Sequence, residues 1–484
     1  MHQRLRVALA TATAAALTGG LITLSAPAAV AAPAKYADDF NGDGYRDLAI
    51  GMPGKSIVGK RGAGAVLVTF GSSSGLTSKR VFVSQNSSGI PGSAETEDSF
   101  GSSVTSGDLN EDGFADLLVA AEGEGVGEYS TRGSVTVLWG GANPFRTATT
   151  LGNSSSFDGQ FYGSDIAVGD FVGDESLDVA VSDATGLWMY RGGIRPSSIP
   201  APTEIPAPWD SARRIGSARL AAGDLNGKTK DELVVTGTSQ ADSKMQAVVY
   251  GDSVDEPGGF LDRGALPGGK TVAVGDLNGD GLDDVAIGLS PPDLDRGELA
   301  DPSSKAGYVM VYYGDANASD GLGNTRHTYH QGTSGVPGSN ESLDQFGEDL
   351  SIGDVTGDGR SELAIGVSYE SLDGVFRAGD VLLLRGTSGG LTTTGAKRFS
   401  QNSPGIPGVA ENADEFGGQV RLADFNNNGK AELAVSAPYE NGGSGAIWQL
   451  RGTSTGLTTS GALDFGPADY GLAAGSGLGD ALND

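Results

Sequence analysis

The fold of this chain can be predicted from one repeated motif. Its clearest copy is Asp39-Phe-Asn-Gly-Asp-Gly-Tyr-Arg-Asp47, followed at once by Leu48-Ala-Ile-Gly51. A closely similar stretch, Asp276-Leu-Asn-Gly-Asp-Gly-Leu-Asp-Asp284, precedes Val285-Ala-Ile-Gly288. Five further copies of this aspartate-rich loop begin at Asp108, Asp170, Asp224, Asp354 and Asp424, so the seven copies are separated by 69, 62, 54, 52, 78 and 70 residues. Seven copies at such intervals predict a fold built from seven similar units.

The clearest loops carry oxygen-bearing side chains at positions 1, 3, 5 and 9 and a glycine at position 6. This arrangement is similar to the first part of a calcium-binding loop, and hard oxygen ligands suit calcium. An EF-hand would also need a bidentate carboxylate at position 12, before a helix. Position 12 is instead β-branched in all seven copies: Ile50, Val119, Val181, Val235, Ile287, Ile365 and Val435. A β-strand is therefore predicted after each loop.

Other landmarks recur around the loops. Phe-Gly pairs precede three of them, at Phe100-Gly101, Phe346-Gly347 and Phe416-Gly417. An apolar run that ends in glycine follows each loop, as from Val66 to Gly71, and a weaker fourth stretch comes after it, as from Arg80 to Ser84. Four short strands per unit without helical periodicity predict an all-β fold, a seven-bladed β-propeller.

The first 31 residues have the pattern of a secretory signal peptide. Arg4 and Arg6 precede an apolar stretch from Val7 to Leu24, and Ala29-Val30-Ala31 fits a small-x-small cleavage site. A membrane anchor is the alternative, although Thr, Gly and Ser interrupt the apolar run. We expect residues 1–31 to be removed on secretion and residues 32–484 to form a single propeller outside the cell.

The composition limits the partners. The chain has 61 Asp and Glu against 32 Lys and Arg, a formal charge of -29, which disfavours nucleic acid and anionic membrane surfaces. Cysteine is absent, so no disulfide can stabilise an exported form of this chain. Stability must come from packing and, by this reasoning, from bound ions.

Taken together, the Phe-Gly pair, the Asp-x-Asn-x-Asp-Gly-x-x-Asp loop, Leu-Ala-Ile-Gly and Gly-x-Val-x-Val-Tyr-Gly resemble FG-GAP repeats. Such repeats build the integrin α-subunit head and the propeller of glycosylphosphatidylinositol-specific phospholipase D. The resemblance covers essentially all of the chain after residue 31. It implies seven blades in a closed ring, with structural calcium ions in the loops that join the first and second strands of some blades.

Carried over by position, the resemblance implies about five calcium sites, each with side chains from positions 1, 3, 5 and 9 and the carbonyl of position 7. The ligands would be Asp39, Asn41, Asp43, the Tyr45 carbonyl and Asp47 in loop one; Asp108, Asn110, Asp112, the Phe114 carbonyl and Asp116 in loop two; Asp276, Asn278, Asp280, the Leu282 carbonyl and Asp284 in loop five; Asp354, Thr356, Asp358, the Arg360 carbonyl and Glu362 in loop six; and Asp424, Asn426, Asn428, the Lys430 carbonyl and Glu432 in loop seven.

Not all loops fit this pattern equally well. Thr356 is a weaker ligand, and loop seven has only two charges, so these two loops are expected to bind less tightly. Loop three has Val172 and Glu175 at positions 3 and 6, and loop four has Lys228 at position 5, so neither is assigned an ion. The alternative for every loop is an Asx-type turn that holds no metal.

Ring closure is expected to involve the chain's last residues. No Phe-Gly pair precedes Asp39, so blade one lacks a first strand of its own. The tail from Gly477 to Asp484 is an imperfect copy of a first strand, and we expect it to complete blade one and remove two open sheet edges. A disordered tail is the alternative.

No catalytic or cofactor-binding residue is predicted. Gly-x-Ser-x-Gly, the pattern of a hydrolase nucleophile, occurs at Gly71 to Gly75, Gly386 to Gly390 and Gly452 to Gly456. Each copy follows a predicted third strand and repeats at the same place in its unit, whereas a nucleophile elbow joins a strand to a helix. We expect turns here.

Long loops point to a binding surface. Related connectors, Gln85 to Ser99, Gln331 to Gln345 and Gln401 to Glu415, join successive units. They should share one face with the segments Met52 to Gly62, Glu122 to Arg132, Ser290 to Lys305 and Tyr369 to Arg377, opposite the aspartate-rich loops. Neutral drift of loop length is the alternative.

Three functional hypotheses follow from these features. The favoured one is an extracellular binding or adhesion module, a monomer that recognises a protein or a glycan. The others are a hydrolase-associated propeller and a structural cell-envelope protein.

Overall fold

The computed structural model describes residues 33–125, 131–152, 160–184, 186–205, 215–228, 230–239, 245–251, 266–290, 306–318 and 320–483. Residues Ala32–Asp484 form one compact unit. The predicted signal peptide lies outside the described residues, so its assignment and the domain boundary at residue 31 stay predictions.

Seven antiparallel sheets of four strands each form the unit. Blade one contains β1 (Leu48–Met52), β2 (Ala65–Thr69) and β3 (Arg80–Val83); blade two contains β4 (Phe100–Gly107), β5 (Asp116–Ala121), β6 (Ser134–Leu138) and β7 (Ala148–Leu151); blade three contains β8 (Asp165–Gly169), β9 (Asp178–Ser182), β10 (Leu187–Tyr190) and β11 (Thr203–Ile205); blade four contains β12 (Ile215–Gly223), β13 (Glu232–Ser239), β14 (Met245–Tyr250) and β15 (Leu266–Pro267).

The remaining strands complete the ring. Blade five contains β16 (Thr271–Gly275), β17 (Asp284–Leu289), β18 (Tyr308–Gly314) and β19 (Leu322–Tyr329); blade six contains β20 (Phe346–Gly353), β21 (Glu362–Val367), β22 (Asp380–Arg385) and β23 (Thr392–Phe399); blade seven contains β24 (Val420–Ala423), β25 (Glu432–Ala437), β26 (Ala446–Thr453) and β27 (Gly456–Phe465); β28 (Ala481–Leu482) belongs to blade one. Within the described ranges, the only helical segments are α1 (Glu440–Gly443) and a 3-10 turn, Pro467–Tyr470. The predicted seven-bladed β-propeller is confirmed.

The second strand of each blade follows an aspartate-rich loop and is the most deeply buried strand of the blade. In β1, β5, β9, β17, β21 and β25 every residue is buried. Neighbouring blades cover both faces of these strands, which is why their sequences are continuous apolar runs with no alternation. The fourth strands lie at the outer edge, and β3 and β23 are correspondingly part exposed.

Seven large hydrophobic clusters, each shared by two neighbouring blades, make up most of the core of the described residues. One of them packs Ile50 and Leu67 of blade one against Ala434 and Ile447 of blade seven. Since this cluster joins the first blade of the chain to the last, burial of apolar surface favours the closed ring.

Each Phe-Gly pair packs its blade against the preceding blade, in blades two, six and seven. Phe100, Phe346 and Phe416 are buried between neighbouring blades. The Phe100 N–H donates to the Ala63 carbonyl at 3.1 Å, and a Cβ on Gly64 would lie 2.2 Å from the Phe100 carbonyl oxygen. Glycine at position 64 therefore permits the close approach of two backbones. Tyr162-Gly163, which sequence analysis missed, makes the same contact because Tyr162 N–H donates to the Arg132 carbonyl at 3.0 Å.

The end of the chain closes the ring, as the sequence predicted. In β28, Leu482 pairs with Ile50 and Ala481 pairs with Gly51 of β1. The Asn483 N–H donates to the Ala49 carbonyl at 3.1 Å, and the Ala49 N–H donates to Asn483 Oδ1 at 2.9 Å. Leu478 is fully buried and takes the place of the Phe-Gly aromatic, since its N–H donates to the Ser444 carbonyl of blade seven at 3.1 Å.

Candidate metal centres

The aspartate-rich loops all lie at one face of the ring. In blades two to seven each loop joins the first strand to the second, and in blade one the loop precedes β1. The side chains predicted as ligands in each of the five loops come from one short segment, so the fold keeps each set together. Whether they hold ions stays a prediction.

In loop one the position 1 carboxylate organises the turn. Asp39 Oδ1 accepts hydrogen bonds from the N–H groups of Gly42 at 2.8 Å and Asp43 at 3.1 Å. Asp39 Oδ2 accepts from Gly44 N–H at 2.8 Å. Asn41 Oδ1 in turn accepts from Asp43 N–H at 2.9 Å. The oxygens at positions 1 and 3 thus face the inside of the loop.

The position 9 carboxylate is buried and joins the loop to the third strand of its blade. Asp47 Oδ2 accepts from Phe40 N–H at 3.1 Å, and Asp47 Oδ1 accepts from Gly71 N–H at 3.0 Å. Asp284 repeats this pattern with Leu277 at 2.9 Å and Gly314 at 2.8 Å. Each loop of this kind is therefore attached to the body of its blade through a buried carboxyl group.

The glycine that ends each third strand has a part in the site that sequence analysis did not recognise. A Cβ on Gly71 would lie 2.2 Å from the Arg46 carbonyl oxygen, so another residue could not bring its N–H to Asp47. The signal was present in the sequence as seven apolar runs that end in glycine, but each glycine meets its carboxylate only once the chain has folded. The partners Asp47, Asp116, Asp178 and Asp284 lie 24, 24, 14 and 30 residues before their glycines.

Burial makes these position 9 carboxylates costly to ionise without a cation. Burial raises the pKa of Asp47 and of Asp116 to about 8, and that of Asp284 to about 7, although backbone hydrogen bonds oppose the shift and loop aspartates add to it. The pKa values of Glu362 and Glu432 are each raised to about 7, first by burial and also by neighbouring carboxylates. A bound cation would favour the charged form of these groups.

Loop three shows that the turn does not require the full ligand set. Gly173 N–H and Glu175 N–H donate to the two oxygens of Asp170 at 2.6 and 2.8 Å, as in loop one. Glu175 has a φ of 69° at the position where other loops have glycine. The Asx-type turn therefore forms without an oxygen-bearing side chain at position 3 or a glycine at position 6, and loop conformation does not separate ion-binding loops from others.

The donor chemistry of the loops fits calcium. All side-chain donors are carboxylate, amide or hydroxyl oxygens. Asn110 Oδ1 in loop two and Glu362 Oε1 in loop six are buried and accept no hydrogen bond, so each has a free lone pair. In the described part of the chain, no three acidic or histidine side chains converge closely enough to hold an ion as they stand. Binding would require the loop carboxylates to turn away from backbone N–H groups.

One substitution separates turn formation from ion binding. Asp280 Oδ1 accepts from Leu282 N–H at 3.0 Å, a bond that an asparagine amide oxygen can keep. We expect Asp280→Asn to change the melting temperature in EDTA by less than about 1 °C and to weaken calcium binding at loop five. Isothermal titration calorimetry and melting curves with and without calcium would check this.

The matched control is Asn428→Asp in loop seven, where the natural sequence has the neutral residue at position 5. This change should strengthen calcium binding. Equal calcium affinity in both variants and the natural chain would contradict the ligand assignment.

The hydrolase-like motifs form turns, as expected. Gly71–Gly75, Gly386–Gly390 and Gly452–Gly456 each join a third strand to a fourth, and short bridges such as Ser73 to Gly75 close them. Since no helix follows these serines, they lack the setting of a nucleophile elbow.

Comparison with known proteins agrees with this geometry. The sequence profile of the FG-GAP repeat matches residues 37–69, 100–138, 346–384 and 416–448. Phosphatidylinositol-glycan-specific phospholipase D of Rattus norvegicus is 34% identical over 118 residues, 24% of this chain and 14% of that protein. Integrin alpha-8 of Mus musculus is 28% identical over 269 residues, 54% of this chain and 23% of that protein. The chain thus spans less than a quarter of the length of either relative.

A solved structure of an Agrocybe aegerita lectin that recognises non-reducing terminal N-acetylglucosamine aligns over 90% of this chain and 94% of its own, with 13% sequence identity and a TM-score of 0.47. This likeness is too low to support an inference. The repeat matches and the seven blades define the fold class: the chain contains FG-GAP repeats, and its propeller resembles those of integrin α-subunits and phosphatidylinositol-glycan-specific phospholipase D.

Proposed function

We propose that this protein is a secreted, calcium-stabilised FG-GAP propeller that acts outside the cell as a binding or adhesion module for a protein or glycan. The observation that carries the proposal is the distribution of exposed apolar side chains. The described residues include six large apolar side chains that are 41% to 88% exposed: Val58, Phe161, Leu343, Phe376, Val409 and Tyr439. All six lie at the face opposite the aspartate-rich loops.

Five of these six side chains lie on three adjacent blades at that face. Leu343 and Phe376 belong to blade six, Val409 and Tyr439 to blade seven, and Val58 to blade one. We name these five residues the apolar arc. Three adjacent blades supply it, and apolar side chains grouped at the surface are typical of interaction sites.

The arc is built on well-fixed loops. Phe376 N–H donates to Asn412 Oδ1 at 2.8 Å, and Ala413 N–H donates to the Phe376 carbonyl at 2.8 Å, so the loop of blade six is tied to the next connector. The Arg377 guanidinium lies 3.5 Å from the centre of the Tyr369 ring and forms an ion pair with Glu415. A surface that is already ordered loses little conformational entropy when it binds.

The structure describes only part of two of the binding segments predicted from the sequence. Within Ser290 to Lys305, residues 291–305 lie outside the described residues, and within Glu122 to Arg132 the same holds for residues 126–130. The proposal therefore stands on Met52 to Gly62, Tyr369 to Arg377 and the connectors.

Calcium has a structural role in this proposal. The loops lie at the opposite face from the apolar arc, and their ligands belong to segments that link the first and second strands of a blade. When bound, the ion would supply the positive charge that the buried carboxylates at positions 9 otherwise lack. Oxygen ligands from Asp39, Asp108 and Asp276 would hold it in the three strongest loops.

Secretion is part of the proposal. It rests on the signal-like residues 1–31, and the acidic charge of the chain is compatible with it. No helix in the described part of the chain combines the length and apolar character needed to cross a bilayer.

A pair of variants tests the binding surface. The double variant Phe376→Ser with Tyr439→Ser should lose at least tenfold in affinity for any glycan or extracellular protein that the natural chain captures. Phe161→Ser is the control, because it removes a similar exposed aromatic ring on blade three, away from the apolar arc. Glycan arrays and capture from extracellular extracts, followed by affinity measurement, supply the comparison. Equal binding by the double variant would refute the proposed surface.

The similarity to a phospholipase D favours a second candidate, a propeller that assists a hydrolase. A phosphodiesterase assay on the purified chain separates the two functions, since a binding module alone should release no product. A third possibility, a structural cell-envelope role, would leave the double variant without effect on any soluble ligand.

A further inference from the structure

A group of four polar side chains repeats with identical spacing at the face that carries the apolar arc. A glutamine is followed after 10 residues by a glutamate, after 3 more by an aspartate and after 26 more by a second glutamate. We name these groups quartets: Gln85, Glu95, Asp98 and Glu124 in blade two; Gln331, Glu341, Asp344 and Glu370 in blade six; Gln401, Glu411, Asp414 and Glu440 in blade seven. Each quartet joins a connector to the segment after the second strand of the next blade.

The glutamine in each quartet lies against the second glutamate. Gln401 Nε2 donates to Glu440 Oε2 at 2.7 Å, and Gln331 Nε2 donates to Glu370 Oε2 at 2.8 Å. Gln85 makes the same bond to Glu124. The three glutamines are only 5%, 5% and 3% exposed in chain order, and the Oε1 atom of each is buried and accepts no hydrogen bond. A buried carbonyl oxygen without a donor is costly.

In two blades a side chain supplies a positive charge at the position of the second glutamate of the quartet or beside it. In blade six, Arg398 Nη2 lies 2.7 Å from Glu370 Oε1. In blade one, Lys55 and Ser476 stand where the other blades have the second glutamate and the aspartate, and Lys55 Nζ donates to Ser476 Oγ at 2.7 Å. A cationic group is therefore part of the junction in both blades.

Blade seven has no such group among the described residues. The strand register pairs Arg398 with Leu382 in blade six and pairs Asp464 with Trp448 in blade seven, so an acid stands where the arginine would be. Glu440 and Asp414 are both buried and lie within hydrogen-bond reach of each other, and Asn441 Nδ2, a neutral group, donates to Glu440 Oε1 at 3.0 Å. In blade two the corresponding register position is Thr150, and Lys60, which is exposed, is the cation near Asp98.

We propose that the quartets of blades seven and two each bind a divalent cation, with calcium as the ion that suits their donors. In blade seven the ligands would be Gln401 Oε1 and the carboxylates of Asp414 and Glu440, and in blade two Gln85, Asp98 and Glu124. Two carboxylates and one neutral carbonyl oxygen are ligands of the class calcium takes. The ion would satisfy the free amide oxygen and balance the two buried carboxylates. In blade six Arg398 balances the charge of Glu370, and the Gln331 Oε1 atom there stays without a hydrogen bond.

These sites are distinct from the aspartate-rich loops, which lie at the other end of the blades. In blade seven the ion would fix the connector that carries Val409 to the segment that carries Tyr439, both in the apolar arc. The inference does not depend on the proposed function, because it concerns ion binding whether or not that face recognises a partner.

Terbium, which replaces calcium, can report on blade seven. A Cβ placed on Gly408 would lie 3.6 Å from Gln401 Nε2 and 3.7 Å from Trp448 Cζ2, so the indole is close enough to sensitise terbium emission. In the chain lacking residues 1–31, Glu440→Gln should reduce tryptophan-sensitised terbium emission by at least half and remove one equivalent of bound calcium. The matched control, Glu370→Gln in blade six, should change neither, because Arg398 already occupies that junction.

A second variant guards against a folding defect. Asp414→Ser with Glu440→Lys copies the pair found in blade one and should fold without an ion. It should also lose one equivalent of calcium, while its melting temperature in EDTA should equal or exceed that of the natural chain. Full calcium stoichiometry and unchanged terbium emission in both blade seven variants would overturn the proposal.

Discussion

A chain that ends at Gly477 is expected to lose more than about 4 kcal/mol of unfolding free energy, because two buried leucines go with the tail. Leu478 and Leu482 are 0% and 6% exposed. The deletion also leaves β1 without its partner β28, which opens a sheet edge and removes Leu478 and Leu482 from the cluster between blades seven and one. Ordinary domains have about 5 to 15 kcal/mol of total stability, so this single change should remove a large share.

Urea unfolding of the truncated and full chains would measure the loss. A synthetic peptide of residues 477–484 is the matched control, since it should bind the open edge and restore part of the stability. If the truncated chain unfolds at the same urea concentration as the full chain, the tail does not close the ring.

Removal of calcium is expected to lower the melting temperature by about 3 to 7 °C. This range is the lost stabilisation divided by the unfolding entropy that is typical of a chain of this length. Extracellular calcium modules bind with dissociation constants of about 0.1 to 1 mM. In about 1 mM calcium each filled site then adds about 0.5 to 1.4 kcal/mol. Five loops together would add about 2.5 to 7 kcal/mol to the unfolding free energy. This stabilisation would come from the ions bound by the buried carboxylates at position 9.

Calorimetry in calcium and in EDTA supplies the measurement. Calcium added in excess over EDTA should restore the higher melting temperature, which separates ion removal from other effects of the chelator. A melting curve that does not respond to EDTA would mean that the loops are turns without metal.

Much of the fold could be predicted because its signals are local. An aspartate-rich turn followed by a β-branched apolar run marks the start of every second strand, and the seven copies set the number of blades. The tail was recognisable because Leu478-Gly479 stands in the position of a Phe-Gly pair. Tyr162-Gly163 was not predicted because tyrosine replaces the phenylalanine of the other pairs, although the contact needs only a large buried ring.

The sites were harder to predict because their partners are distant in the chain. Gly71 N–H meets Asp47 only after β1 and β2 have paired, and Gln401 meets Glu440 across 39 residues. The equal spacing of the quartets is visible in the sequence, but only the burial of their side chains and the free Oε1 atoms indicate a cation site. Ion occupancy is not encoded in loop shape, since loop three folds alike with Val172 and Glu175.

The most direct test of the account is a crystal structure of residues 32–484 grown in millimolar calcium. The account predicts an ion at about 2.3 to 2.6 Å from the ligand oxygens in loops one, two and five, with Asp39, Asp43 and Asp47 turned towards it in loop one. Loops that hold only water, with Asp39 still bonded to the N–H groups of Gly42 and Gly44, would contradict it.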